Sequence, residues 1–190
     1  QIFVHGYDLS GDVAAIDNAG SPRNLLDLTA INSSGTERLV GLSDGNLAVS
    51  SWFNDATEQE HAAFSGLVTT DRILTWAFGA TRGDVAACLV AKQLNYDASR
   101  GTDGSLSFSV DSQADGISLD WCNTLTTGKE THSSAGSSTS RDDGAGTTAG
   151  MVGYLEITDL DSGTATVTIQ ESSDNGSSDA WVNVLSFSAV

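Results

Sequence analysis

Few side chains in this sequence stand at spacings that do chemistry. The three histidines, His5, His61 and His132, are scattered along the chain. His61 follows Glu58 by three residues, about one helical turn, which can place two metal ligands on one face. With no further ligand in that register, the pair reads as a solvated polar face. Acidic turns at Asp159-Leu160-Asp161-Ser162-Gly163 and from Glu171 to Asp179 offer the oxygen donors that calcium takes. Neither has the register and terminal Glu of an EF-hand loop, and both read as hairpin turns. Gly144-Ala145-Gly146 is followed by Gly150, one residue past the GxGxxG spacing, and lies in a polar loop. There is no HExxH and no P-loop. Carboxylate pairs for glycoside hydrolysis can be picked from 25 acids by chance, so they carry no weight. Trp52, Trp76, Trp121 and Trp181 could stack sugars, but strand tryptophans equally serve cores and interfaces. The chain is therefore expected to be no enzyme and to take no cofactor or metal.

The elements that would position these residues are mostly strands. Asp-Gly or Asn-Gly pairs at 44–45, 103–104, 115–116, 143–144 and 175–176 tolerate positive φ and favour tight turns. Between them, Leu106, Phe108 and Val110 alternate with serines, and Ala165, Val167 and Ile169 alternate with polar residues. Leu47, Val49, Ser51 and Phe53 form one face of another strand. Ile73 to Phe78, with Trp76 at its centre, suits a buried strand. Asp84 could cap a helix over Val85 to Tyr96, but the Asp-Gly turns that follow favour a strand there; Ile117–Leu119 and Tyr154–Thr158 read as short strands, and Trp181 to Phe187 as the last. One helix is expected over 55–67, capped by Asp55 or Thr57 and ended by Gly66, with Ala63, Phe64 and Leu67 as its apolar stripe. Residues 8–22 and 123–150 are Gly-, Ser-, Thr- and Asp-rich and read as an arm and a long loop. The organisation expected is a body over 1–122 with arm and helix, a loop over 123–150, and C-terminal strands over 151–190 that complete the sandwich or form a small appendage.

Composition bounds what this body does. Of 190 residues, 43 are Leu, Ile, Val or Phe, which permits folding around a lean core that gains burial from partners. No apolar run approaches a membrane span, and Gln1-Ile2-Phe3-Val4 lacks the n- and h-regions of a signal peptide. Cys88 and Cys122 sit in apolar contexts and read as buried thiols. Asn32-Ser33-Ser34 and Asn175-Gly176-Ser177 read as chance matches to the glycosylation pattern. With 25 acids against 8 bases the formal charge is −17, and Lys92 and Lys129 are the only lysines. Such a surface repels phosphates, which excludes a DNA reader but not a conduit that DNA must not adhere to.

Motif order says more than any single motif. Gly6-Tyr7-Asp8-Leu9-Ser10-Gly11-Asp12-Val13 comes first. Arg38-Leu39-Val40-Gly41-Leu42-Ser43-Asp44-Gly45 follows, leading into a strand, Trp52-Phe53 and the short acidic helix. Gly83-Asp84-Val85-Ala86, a long strand and Asp103-Gly104-Ser105-Leu106-Ser107-Phe108-Ser109-Val110 come next. Thr166 to Asn175, Trp181 and a last strand with Phe187 close the chain. In this order the sequence resembles, outside 123–150, the major tail tube proteins of long-tailed, siphovirus-like bacteriophages, especially those infecting actinobacteria.

The resemblance implies a mainly β fold: an antiparallel β-sandwich or half-barrel with one flanking α-helix, whose strands contribute to an oligomeric inner β-barrel. It implies homohexameric rings stacked into a tube that encloses a tape-measure protein, meets tail completion proteins and later passes genomic DNA without binding it. It implies assembly in the host cytoplasm, residence in the virion tail and no membrane partner. The residues it puts at contacts between subunits or rings are Tyr7, Asp8, Leu9, Arg38, Gly41, Leu42, Asp44 and Gly45. Polar arms at 8–22 and 32–43 suit bridges between rings, and the strand after Asp44-Gly45 with a hairpin partner suits the lumen wall. A capsid decoration protein and a carbohydrate-binding or adhesion module of a virion are the alternatives. The second would use Gln170 to Asp174 and Trp181 in a small C-terminal sandwich.

Overall fold

The fold is built outward from β8 (Val85–Gln93), a nine-residue strand with apolar side chains on both faces. A computed structural model describes residues 1–146 and 148–189 of the chain. Within them Ala87, Leu89 and Ala91 of β8 enter the main core, while Ala86 and Cys88 enter a second, smaller cluster on the opposite face. Small side chains on both faces let other layers approach closely.

β8 pairs with β7 (Arg72–Ala77) on one side. On the other it pairs with β11 (Asp120–Asn123) at its start and with β10 (Leu106–Ala114) at its end. β10 continues to β6 (Asn46–Trp52) and also carries β9 (Asp97–Arg100), and β6 continues to β3 (Val13–Gly20). Beyond β7 lie β1 (Ile2–Val4) and β2 (Tyr7–Asp8). All these pairs are antiparallel, giving the order β2-β1-β7-β8-β10-β6-β3. Residues 9–12 connect β2 and β3, the two ends of that order, so the sheet curls into a half-barrel that does not close. The chain is mainly β and sandwich-like, as expected. Most of the alternation read from sequence holds: Leu47, Val49 and Ser51 of β6 and Phe108 and Val110 of β10 are buried on one face, whereas Phe53 lies past the end of β6 and is exposed.

The helix is shorter than expected. α1 spans Glu60–Phe64 and puts Ala63 and Phe64 into the core. Glu58 adopts φ +63°, which breaks the turn that Asp55 or Thr57 would have capped. Asp12, distant in sequence, takes the capping role: the Glu60 N–H donates to its Oδ2 at 2.9 Å. Glu58 therefore lies outside the helix and shares no helical face with His61. The C-cap is Ser65, not Gly66.

Residues 8–22 are not an arm. They contain β3, which pairs with β6 through two register shifts, and the buried Leu9. No strand forms at Ile117–Leu119 or Tyr154–Thr158. Leu119 instead meets Gly45, where a Cβ would lie 2.3 Å from the Leu119 nitrogen. The expected C-terminal strand becomes regular at Thr168, although Ala165, Val167 and Ile169 keep their half-buried alternation.

Two small sheets stand apart. β12 (Thr168–Glu171) and β13 (Val182–Ser186) form a C-terminal hairpin. Its Ile169, Leu185 and Phe187 side chains close so tightly on Gly153 that a Cβ there would lie 2.5 Å from Leu185. β4 (Arg23–Asp27) and β5 (Arg38–Ser43) form the other. Among the described residues no helix or strand lies between Asn123 and Thr168.

Candidate assembly surfaces

The β4–β5 hairpin prolongs the β3–β6 ribbon past the edge of the main sheet. Gly20 pairs with Asn46 and Arg23 with Ser43, with the Ser21-Pro22 and Asp44-Gly45 steps between. Its root is held firmly. The Asp44 N–H donates to the Pro22 carbonyl at 2.9 Å, and Ser21 Oγ donates to the Leu119 carbonyl at 3.2 Å. Its tip is closed by Thr29, whose Oγ1 accepts the Glu37 N–H at 2.9 Å. From Arg23 to the tip the arm reaches about 20 Å at an ordinary strand rise.

The arm leaves much of its own apolar surface uncovered. Leu25 stands opposite Val40 on one face and Leu26 opposite Leu39 on the other, and each of the four is more than half exposed. Leu28 and Leu42 are exposed as well, Leu42 at 92%. A two-stranded hairpin is marginal alone in water. Its charges balance: Asp27 lies opposite Arg38, with Arg23 and Glu37 the others. A neutral, leucine-rich projection thus stands out of a chain of formal charge −17.

The eight residues expected at contacts divide between two places. Arg38, Gly41 and Leu42 lie on β5 of the arm, and Asp44 is exposed at its root with the buried Gly45 beside it. Tyr7 and Asp8 form β2 at the far end of the sheet, half-buried, and Asp8 accepts from Lys129 at 3.0 Å. Leu9 is fully buried in its own chain's core and has no surface to offer a neighbour. No GxSxG elbow is expected from the sequence, yet Gly41 to Gly45 spells G-x-S-x-G. Ser43 leads from strand to strand, whereas a nucleophile elbow needs strand to helix. His61 is engaged with Tyr96 at 3.0 Å and His132 with Glu130 at 3.5 Å.

The outer face of the β3–β6 ribbon is polar and small. Asp17 accepts from Ser50 Oγ at 2.6 Å, and Asn18 Nδ2 donates to Asn46 Oδ1 at 3.1 Å. Ala48 lies between them on β6. Beside this ribbon β3 is the last strand of the main sheet, paired on one side only. Several of the bases that could offset the surface acids are already paired with them. Lys92 meets Asp71 and Asp115, Arg82 meets Glu130, and Arg141 meets Asp143.

Two acids, the buried Glu60 and the half-buried Glu156, hold the layers together. Glu60 accepts from Ser51 Oγ at 2.9 Å and from Tyr96 Oη at 3.1 Å, and burial pushes its carboxyl above the ordinary range. Glu156 comes from the C-terminal segment and accepts the Gly6 N–H at 2.7 Å and Thr75 Oγ1 at 3.4 Å. Burial raises it to about 7. Nearby, Tyr154 donates to Asp120 at 2.7 Å and packs against Cys88 and Cys122, which are free thiols. Asp174, in one of the turns considered for calcium, accepts the N–H groups of Ser177, Ser178 and Asp179 and so shapes its own loop. Those hydrogen bonds hold its pKa below the usual value.

A last surface is aromatic. Trp76 on β7 and Trp121 on β11 flank Ala87 of β8, and Phe78 joins them with ring centroids 4.4 Å from Trp76 and 5.9 Å from Trp121. Phe78 and Trp121 are more than half exposed.

No family model and no curated protein matches the chain. Among solved structures it is similar to a chain in the tail of an empty gene transfer agent particle with C6 symmetry, at 15% identity and a TM-score of 0.46. That match covers 58% of this chain and 82% of the other. It is also similar to a chain in the virion of a native gene transfer agent particle, at 14% identity and a TM-score of 0.46, covering 64% and 95%. These values describe a partial likeness of fold.

Proposed function

We propose that this chain is a structural protein of a phage-type virion tail, a tube subunit that polymerises through its β4–β5 arm. The observation that carries the reading is the arm itself: a firmly rooted, charge-balanced hairpin with leucine more than half exposed on both faces. Burying its seven exposed large apolar side chains, Ile31 near the tip among them, against a neighbour would yield roughly 1 kcal/mol each. An arm that leaves one subunit and is received by a different patch of the next is a head-to-tail contact, which closes rings or extends filaments. The resemblance in motif order supplies the rest: six subunits per ring, stacked rings, and an inner β-barrel completed between copies. The tube would enclose a tape-measure protein, end on completion proteins and pass DNA. The outer face of the β3–β6 ribbon, with Asp17, Asn18 and Ser50, is the wall proposed for the lumen. The role is structural, with no catalytic step.

Sedimentation velocity across concentration tests this on the full chain and on Leu26→Asp/Leu39→Asp. The wild type is expected to form large assemblies and the variant to stay a single folded subunit. Equal assembly of both would overturn the role given to the arm.

The Trp76–Phe78–Trp121 cluster favours a second reading, a glycan-stacking face on the same virion protein. Titration with soluble oligosaccharides, read by tryptophan fluorescence, distinguishes it: saturable quenching that Trp121→Ala removes would support this reading.

A further inference from the structure

The ribbon that carries the arm has a second end. β3 and β6 run from the arm, at Gly20 and Asn46, to Val13 and Trp52, where the Trp52 N–H donates to the Asp12 carbonyl at 2.9 Å. This far end is apolar at its surface. Trp52 is 51% exposed and belongs to neither core cluster, and Phe53 is exposed just past it. By strand alternation Trp52 shares the outer face of β6 with Ala48 and Ser50. It stands opposite Ser107, which stands opposite Ser99, so small hydroxyls flank the indole.

The two ends of the ribbon also differ in charge. Lys92, Lys129, Arg82 and Arg141 are ion-paired, and Arg72 donates to the Ala63 carbonyl. Arg23, Arg38 and Arg100 have no side-chain partner among the described residues, and the first two lie on the arm. The arm's own acids turn to its tip: Asp27 accepts the Thr29 N–H and Glu37 accepts from Ser33 Oγ. On β5, Arg38 shares a face with Val40 and Leu42, and Leu25 stands opposite Val40. At the far end, Asp55 follows Phe53, and Asp97 stands opposite Ser109, itself opposite Ser50. Both acids are exposed and neither meets a cation among the described residues. Arg100 lies on the other face of β9 from Asp97.

We propose that the Trp52 end of the ribbon is the surface that receives the β4–β5 arm of a second copy of this chain. This rests on the arm being the polymerising element. The arm's Leu25–Val40–Leu42 face covers Trp52 and Phe53, and Arg38 comes to the acids beside them. An exposed tryptophan met by leucines and an arginine is the composition of an interface hot spot. The Trp76–Phe78–Trp121 cluster does not fit this place. The register from β6 through β10 to β8 sets it towards the arm's own end, where Leu119 meets Gly45. Contact between like ends closes a pair and stops, whereas contact between unlike ends repeats from copy to copy.

Sedimentation velocity on two full-chain variants and their mixture tests this. Trp52→Asp removes the indole from the receiving end and leaves the arm intact, and Leu26→Asp/Leu39→Asp does the reverse. Each alone is expected to stay a single subunit. Mixed in equal amounts, they should form one species of about twice the subunit mass and nothing larger, because only one intact arm meets one intact receiving end. Assembly of Trp52→Asp like the wild type, or a mixture that stays single while the wild type assembles, would overturn the receiving surface and leave the arm reading standing. A wild type that stays single at every concentration would overturn both. Photo-cross-linking needs no change at the receiving end: benzoylphenylalanine placed at Leu42 should link to the peptide carrying Trp52 of another copy. Linkage to other peptides alone would overturn the proposal even if Trp52→Asp fails to fold.

Discussion

Glu156 brings a half-buried carboxyl to the seam between the sheet and the C-terminal layer. Its pKa is raised from 4.5 to about 7, first by burial, with the hydrogen bonds from Gly6, Thr75 and His5 acting against that rise. The folded chain thus holds a proton that the unfolded chain releases at lower pH. Stability falls as pH rises from about 4.5 to about 7 and then levels, by about 3 kcal/mol. Glu156→Gln keeps an acceptor and removes the charge. Urea midpoints at pH 5 and pH 8 should therefore differ less in the variant than in the wild type, with the variant the more stable of the two at pH 8. An unchanged pH difference would show that Glu156 ionises without cost. Sequence gave no sign of this role. Glu156 looked like one acid among 25, and only the packing of 151–158 against the β1–β2 turn and β7 sets it apart.

At the scale of elements, what could be read depended on whether one strand's own pattern decided its place. β6, β8 and β10 were legible because each buries an alternating or continuous apolar face in its own chain. β3 was not: its Ala-, Asp- and Asn-rich sequence has weak strand propensity, and its pairing with β6 holds it. The helix start was misplaced because its cap, Asp12, comes from a distant segment. The arm was half legible. Residues 32–43 were expected to project, but the apolar residues of 23–28 that pair with them were not recognised as its other strand. Because the arm buries so little in its own chain, Leu26→Asp/Leu39→Asp should change single-subunit stability by no more than about 0.5 kcal/mol in urea, while removing assembly. A large loss of stability would mean that the arm serves its own core.

The whole molecule is an acidic body that carries a neutral apolar projection, with a small polar face on the ribbon at its root. In a tube, a wall of that kind repels phosphate and lets DNA slide. Asn18→Lys/Ser50→Lys adds two cations to that face. Tubes should still form, but should retain duplex DNA at about 50 mM salt and release it near 200 mM, where wild-type tubes retain none at either. DNA retention equal to the wild type in well-formed tubes would remove the lumen role from this face. The central claim is that the chain is a subunit built to polymerise, and negative-stain electron microscopy of the purified full chain across concentrations tests it most directly. The account predicts stacked rings or hollow tubes that lengthen with concentration, six-fold in end views. Single globular particles of one size at every concentration, with the arm intact, would contradict it.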